Sequence, residues 1–247
     1  MRLPQERVHG DSLKHFNGKQ SNYYVLAALM LIYMAGLFNM KNMNVIQKFV
    51  ISLERVTERR ENVLRQLAGS QYTIVNAVDG MNLTSRDIQM KNVLIERNHL
   101  MPGEVGCFLS HVYLWERIIK AKKGYTLVFE DDLQINGPLD ELLPQLCAIP
   151  DFDIMYLGHY YERKGAIIRS VKNYTVRRSV KPYCTHAYLI SFSGAKRMMS
   201  YLNSRKSSLP IDDMMICAYR DGYVRSVSIF PTIVNVVPFA TTILRKR

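Results

Sequence analysis

The chain has 247 residues, 48% hydrophobic and 22% charged, which predicts one or two globular domains with a real core. Its 33 Lys and Arg against 21 Asp and Glu give a formal charge of +12, which favours anionic partners (nucleic acid, nucleotide phosphates, an anionic membrane surface, a phosphorylated glycan) or serves solubility alone. Cysteines at 107, 147, 184 and 217 are too far apart for a C-x-x-C zinc or redox motif, and free thiols in a reducing compartment fit them best.

Residues 1–22 are polar and basic. "YYVLAALMLIYMAGLF" (23–38) is uncharged, and the charge-free stretch is bounded by Lys19 and Lys41. A spanning helix wants roughly 20 apolar residues, so three readings stay open: a signal anchor, a helix lying on a surface, or an extension before Met40 or Met43. A cleaved signal peptide is disfavoured, because no small-residue cleavage site follows. We expect an extension over 1–43 carrying an apolar helix, and a catalytic domain over 44–247.

From there strands and helices alternate. "KFVISL" (48–53) reads as a strand, and "TERRENVLRQLAG" as a helix with Thr57 as N-cap and Gly69 as its stop. "YTIVNAV" (72–78) is a second strand closed by Asp79-Gly80, which completes a βαβ unit of a parallel sheet. Residues 101–124, "MPGEVGCFLSHVYLWERIIKAKKG", read as a helix with an apolar stripe through Val105, Phe108, Val112, Trp115 and Ile119. Glu104, Cys107 and His111 lie on another face, with Glu104 near the positive end of the helix. "YTLVF" and "DIMYLG" are strands. "THAYLISFSGAKRMMSYL" is strand then helix with Ser193 as N-cap, "IDDMMICAYR" is a helix, and "VRSVSIFPTIV" (224–234) is a last strand. No internal repeat or low-complexity linker appears, so one α/β domain is the economical reading.

The sheet pattern gives meaning to "YTLVFEDDL". Ligands of open α/β sheets bind beyond the carboxyl ends of the strands, where Glu130, Asp131 and Asp132 fall. Alternation lets Glu130 and Asp132 face one point while Asp131 turns away. Converging carboxylates repel unless a cation sits between them, and Mg²⁺ or Mn²⁺ would leave positions open for a diphosphate. A solvated acidic turn is the plainer alternative. "PGEVGCFLSH" adds a glycine-rich helix start suited to close approach by a ligand. His111 and His186, taken singly, read equally well as structural histidines.

"FVISLERVTERRENV", "AVDG", "PGEVGCFLSHVYLWERII", "YTLVFEDDL", "DFDIMYLG", "THAYLISFSGAKRMM" and "PIDDMM", in this order, make the chain from about Val45 to Arg247 resemble glycosyltransferase family 25. The family includes bacterial lipooligosaccharide galactosyltransferases and relatives of procollagen galactosyltransferase. The resemblance implies a GT-A-like single nucleotide-binding α/β domain with a mostly parallel central sheet. It implies an inverting, metal-dependent β-galactosyltransferase using UDP-galactose and Mn²⁺ or Mg²⁺. Direct displacement at the anomeric carbon would pass through an oxocarbenium-like state.

Carried onto this sequence, the D-x-D-type element is Glu130-Asp131-Asp132, with Glu first. Asp132 is the favoured metal ligand, with Glu130 or Asp131 reaching metal, ribose or sugar hydroxyls. His186 is a metal or phosphate contact. Asp212, then Asp213, are the candidate bases, with Glu104 a rival. Ser52, Arg59 and Arg60 bracket the nucleotide, Asp79 reaches ribose or uracil, and Ser110 and His111 belong to the same donor side. The implied partners are a nucleotide-sugar donor, a lipid-linked glycan acceptor of the lipopolysaccharide type and an anionic membrane surface, with no nucleic acid. The implied location is the cytoplasmic face of a bacterial inner membrane.

From Arg163 to Lys181 come seven cations and no acid: Arg163, Lys164, Arg169, Lys172, Arg177, Arg178 and Lys181, among Tyr160, Tyr161, Tyr174 and Tyr183. This reads as an acceptor-side loop or as a solvated basic loop. Two other functions compete. A metal-dependent phosphoryl-transfer enzyme would need a second metal cluster. A non-catalytic nucleic-acid or membrane-binding protein would rest on the +12 charge alone.

Overall fold

A computed structural model describes residues 46–84, 100–204 and 209–239. The apolar segment 23–38 lies outside them. No helix among the described residues is long and apolar enough to cross a membrane.

The first elements are β1 (Gln47–Ser52), α1 (Thr57–Gln66), β2 (Thr73–Asn76), α2 (Pro102–Ala121) and β3 (Tyr125–Glu130). Next come β4 (Leu133–Ile135), α3 (Leu139–Cys147), β5 (Ile154–Tyr156), β6 (Ile167–Val171) and β7 (Tyr174–Arg178). The last are β8 (Ala187–Ser191), α4 (Phe192–Asn203), α5 (Ile211–Arg220), β9 (Ser226–Phe230) and β10 (Val234–Val236). Eight strands form one sheet in the order β2-β1-β3-β8-β5-β9-β7-β6, and β10 pairs with β4 beside it. The pairings make β8 and β7 run against the other six, so the sheet is mostly parallel in direction. This is the expected α/β architecture, with reversed strands that the sequence pattern did not announce.

The central strands are buried on both faces, which explains their unbroken apolar runs. Phe49 and Ile51 of β1, Val128 of β3 and Tyr188 and Ile190 of β8 join the core under α2, α4 and α5. The alternate residues Val50, Leu127, Phe129 and Leu189 join the opposite core under α1 and α3. Register is therefore firmly set, because a one-residue slip would exchange the two cores.

Several local expectations are corrected. Val56, not Thr57, occupies the cap of α1, and no side chain closes that end. Ser191 caps α4 by accepting the Gly194 N–H, while Ser193 hydrogen-bonds Asp153. The run 224–234 is two strands, β9 and β10, separated at Pro231, which has no N–H to continue a ladder. The basic stretch is not a loop: β6 and β7 form an antiparallel hairpin on the sheet edge. β4 and α3 were not anticipated, and Pro144 inside α3 masks its helical pattern.

One contact fixes the geometry near the site. A Cβ on Gly106 of α2 would stand 2.5 Å from the Val78 carbonyl oxygen and 2.7 Å from the Gly80 nitrogen. Two glycines thus let the chain after β2 lie directly on the first turns of α2.

Candidate active site

The carboxyl ends of β1 and β3 lie side by side, with Ile51 paired to Glu130. Because β8 is reversed, its beginning arrives at the same edge, and the Glu130 N–H donates to the His186 carbonyl at 3.0 Å. Residues 130–132 therefore sit where two segments about fifty-five positions apart converge. Two clefts flank them.

The narrower cleft, about 90 Å³, lies between the end of β1, the turn after β2 and the start of α2. Arg59, Asp79, Ser110, His111, Glu130 and Asp131 line it. Arg59 is buried and donates through Nη1 to Asp131 Oδ1 at 3.0 Å and Asp132 Oδ2 at 3.2 Å. Asp79 accepts from Arg55 Nε at 2.7 Å, and this partner holds its carboxyl below the ordinary range. Ser110 is spent within the fold: its hydroxyl accepts the Val78 N–H at 2.8 Å and donates to the Gly106 carbonyl at 2.7 Å. Ser52 and Arg60 line neither cleft. Arg60 turns to Asn76 Oδ1 at 2.6 Å, because the next residue of a helix points about 100° away from Arg59.

The wider cleft, about 390 Å³, is lined by Glu104, Glu130, Asp132, His186, Asp212 and Asp213, with Tyr160, Cys184 and Thr185 on its walls. Glu104 Oε2 accepts the Met101 N–H at 2.7 Å, so this carboxylate caps its own helix. Asp212 is held by backbone, accepting from Cys184 N–H at 3.2 Å and from Asp213 N–H at 2.9 Å. Burial and the charge of Asp212 push the Asp213 carboxyl upward.

A buried chain of hydrogen bonds stands behind Glu130. Trp115 Nε1, a donor only, gives its hydrogen to the Tyr188 hydroxyl at 3.0 Å. The Tyr188 O–H must then donate onward, and His111 Nδ1 lies 2.8 Å away. That assigns the His111 hydrogen to Nε2, which faces Glu130 Oε1 at 3.3 Å. Thr185 Oγ1 donates to the same oxygen. Burial alone would raise the Glu130 carboxyl, but the hydrogen bonds from His111 and Thr185 hold it below the ordinary range. Asp132 goes the other way: burial and the charge of Glu130, against Arg59, push its carboxyl up to about 7.

Two donor sets could hold a cation. Cys107, His111 and Glu130 present atoms within 4.8 Å of one another. Both His111 nitrogens are already engaged, however, and burial with the Glu130 charge drives the Cys107 thiol well above its usual value. A second group, Asp132 and His186 beside Glu130, is not clustered in this way but has the freer donor atoms. Asp132 Oδ1 and His186 Nδ1 are buried without a hydrogen-bond partner among the described residues. His186 donates from Nε2 to the Val234 carbonyl at 3.2 Å, which leaves Nδ1 as a lone pair. Burial keeps that ring uncharged by lowering its pKa. Glu130 receives its bonds on Oε1, so three residues with oxygen or nitrogen ligand chemistry line one cleft.

Thr185, Tyr188 and Gly158 escaped sequence reasoning, and Tyr160, expected on an acceptor-side loop, lines the wider cleft. The signal for Gly158 is its place at the end of β5: a Cβ there would lie 2.0 Å from His186 Nε2. Tyr188 reads from sequence only as another apolar strand residue.

The family model described as "Glycosyltransferase family 25 (LPS biosynthesis protein)" matches residues 45–215. "Probable inactive glycosyltransferase 25 family member 3" of Bos taurus is 31% identical over 185 residues, 68% of this chain and 30% of that protein. "Procollagen galactosyltransferase 2" of Homo sapiens is 29% identical over 187 residues, 69% of this chain and 30% of that protein. "Procollagen galactosyltransferase 1-A" of Xenopus laevis is 31% identical over 189 residues, again 69% and 30%. The chain thus spans about 30% of the length of these curated relatives.

Proposed function

Because the chain belongs to glycosyltransferase family 25, we propose that it transfers a hexose, galactose from UDP-galactose, onto a glycan acceptor with inversion at the anomeric carbon. The acceptor we assign is a lipid-linked glycan of the lipopolysaccharide type, following the family's description. The observation that supports the reading is that Asp132 Oδ1 and His186 Nδ1, both buried and unpartnered among the described residues, belong to residues lining a cleft that also holds Asp212 and Asp213. The GT-A-like assignment rests on the same edge of a mostly parallel sheet.

The nucleotide belongs to the narrower cleft, where Arg55 and Arg59 supply positive charge and Asp79 can meet ribose or uracil. Asp132, His186 and Glu130 would hold a divalent cation, with Asp131 keeping Arg59 in place. When bound, such a cation supplies neutralisation of the charge that develops on a departing diphosphate. The protein's own groups handle the acceptor. An acceptor hydroxyl attacks the anomeric carbon, the bond from that carbon to the diphosphate oxygen breaks, and the hydroxyl proton passes to a carboxylate. Asp213 is the stronger base of the pair, since its carboxyl is raised while both oxygens of Asp212 already accept backbone bonds.

Titration of the purified chain with UDP-galactose, UDP-glucose and UDP-N-acetylglucosamine, each with and without Mn²⁺, tests the donor. Metal-dependent binding of UDP-galactose is expected. Binding that ignores Mn²⁺ would remove the metal assignment, and a folded sample that binds none of the three would remove the donor assignment. Two of the curated relatives carry "inactive" in their names, so transfer to an acceptor must be measured as well as binding.

A further inference from the structure

Five of the nine most exposed large apolar side chains among the described residues fall between positions 160 and 180, which sets this region apart from the rest of the surface. Tyr161 is 88% exposed and Ile167 56%, with Tyr160, Ile168 and Val180 beside them. The region is one built surface. The Arg178 N–H donates to the Ala166 carbonyl at 2.8 Å, and Arg177 Nη1 donates to the Gly165 carbonyl at 3.0 Å. A Cβ on Gly165 would stand 2.2 Å from the Arg178 carbonyl oxygen. Tyr160 and Tyr183 bridge across the base of the hairpin, and the Tyr161 and Tyr183 rings meet edge-on at 6.3 Å.

Charge follows the same surface. Glu162 is the single acid from 160 to 183, and its two oxygens accept the Val180 and Lys181 N–H groups at 2.7 and 3.0 Å. Lys172, at the far tip, pairs with Glu141. Arg163, Lys164, Arg169 and Arg178 form no ion pair among the described residues, while Lys181 is felt by Asp213.

We propose that this hairpin base docks on an anionic lipid bilayer. Unpaired cations meet lipid phosphates, while Tyr161, Ile167 and Ile168 enter the headgroup boundary, where tyrosine and aliphatic side chains both gain from leaving water. The backbone of edge strand β6 stays at headgroup depth, where water still solvates it. A nucleic-acid surface would use the cations equally but would gain nothing from two exposed isoleucines. Tyr160 joins this surface to the wider cleft, its ring 5.7 Å from that of His186, so docking brings the cleft to the membrane. The proposal goes beyond the transfer reading, since it concerns where the protein sits and is read without donor or acceptor.

The test is co-sedimentation of the full chain with phosphatidylcholine vesicles and with vesicles carrying about 30% phosphatidylglycerol. Wild type is expected to prefer the anionic vesicles, and the preference should fall with added salt. Arg163→Glu with Lys164→Glu should lower that partition by about tenfold or more, and Ile167→Ser with Ile168→Ser should lower it further at high salt. Unchanged far-UV circular dichroism and UDP-galactose affinity in both variants would separate docking from the donor site. Hydrogen exchange on wild type needs no variant: residues 160–181 should gain protection on anionic vesicles. Unaltered partition of the charge-reversed protein, protection confined elsewhere, or capture of a short RNA with no vesicle binding would each overturn the proposal.

Discussion

Gly158 packs against His186 so closely that a Cβ at position 158 would stand 2.0 Å from the imidazole Nε2. The same Cβ would lie 2.4 Å from the Val234 carbonyl oxygen that Nε2 binds. The glycine therefore leaves room for the ring orientation in which Nε2 donates to Val234 and Nδ1 stays unpartnered. Gly158→Ala should weaken Mn²⁺ binding by roughly tenfold to a hundredfold, the range for disturbing the partner of a ligating histidine. Isothermal titration with Mn²⁺ checks this, and unchanged affinity would detach His186 from the metal.

Asp132 gives a pH-dependent prediction. Its carboxyl rises from 3.8 to about 7 on folding. Below pH 4 both states hold the proton and nothing is lost. Between about pH 4 and 7 the unfolded chain has released it while the folded protein retains it, so folding stability declines as pH rises, and the penalty is complete above 7. Asp132→Asn, measured with chelator present, should stabilise the protein by roughly 2 kcal/mol at pH 8 and by nothing near pH 4. That figure is below the full shift because part of the side chain reaches solvent. The same variant should lose Mn²⁺ binding. Denaturant melts at the two pH values are the measurement.

Asp213→Asn should lower kcat by 10²-fold or more with little change in the KM for the donor, as expected when only the proton acceptor is removed. Asp212→Asn should act differently, loosening the turn at Cys184 through the lost backbone bond and reducing thermal stability. Steady-state kinetics beside melting curves would tell the two apart. Equal losses of kcat with equal stability would mean that the pair acts as one unit.

Tyr188→Phe removes the hydroxyl that links Trp115 to His111, leaving a buried indole N–H without an acceptor. The expected cost is about 1–3 kcal/mol. In the Trp115→Phe background, where no donor is stranded, the same change should cost measurably less. A double-mutant cycle by denaturant unfolding reads the coupling.

Gly106→Ala should destabilise by about 1–3 kcal/mol, since the added methyl meets backbone of Val78 and Gly80 and no flexible side chain can yield. The same unfolding measurement checks it, and a neutral result would show that the turn after β2 can move off α2.

The sequence carried most of the framework. β1, α1, β2, α2 and β3 were legible because apolar period and turn residues agreed there. α3 was not, because Pro144 and Pro138 argue against a helix that Leu139, Leu142, Leu143 and Leu146 nonetheless bury. Burial won over propensity. Strand direction was also invisible, since an apolar pentapeptide such as Ala187–Ser191 reads the same either way. At the site, residue type suggested Glu130, Asp132 and His186, and the fold brings all three residues to the lining of one cleft. Residue type could not reveal that Ser110 and Glu104 serve the backbone, nor that Arg60 faces β2 while Arg59 faces the acids. Those distinctions are matters of rotation about two helices, α1 and α2, which a string of letters does not record.

The reversed direction of β8 also orders events in time. Glu130 and Asp132 leave the ribosome some fifty residues before His186, and β8 must insert between β3 and β5 to deliver it. Until then Asp132 has Arg59 as its counter-charge and Glu130 has His111, while the histidine of β8's leading edge is still missing. A nascent chain halted before β8 would hold the acidic half of the site without the means to complete it. On the proposed metal reading, capture of a divalent ion would be a late step of synthesis, and a bound ion would report that the centre of the sheet has closed.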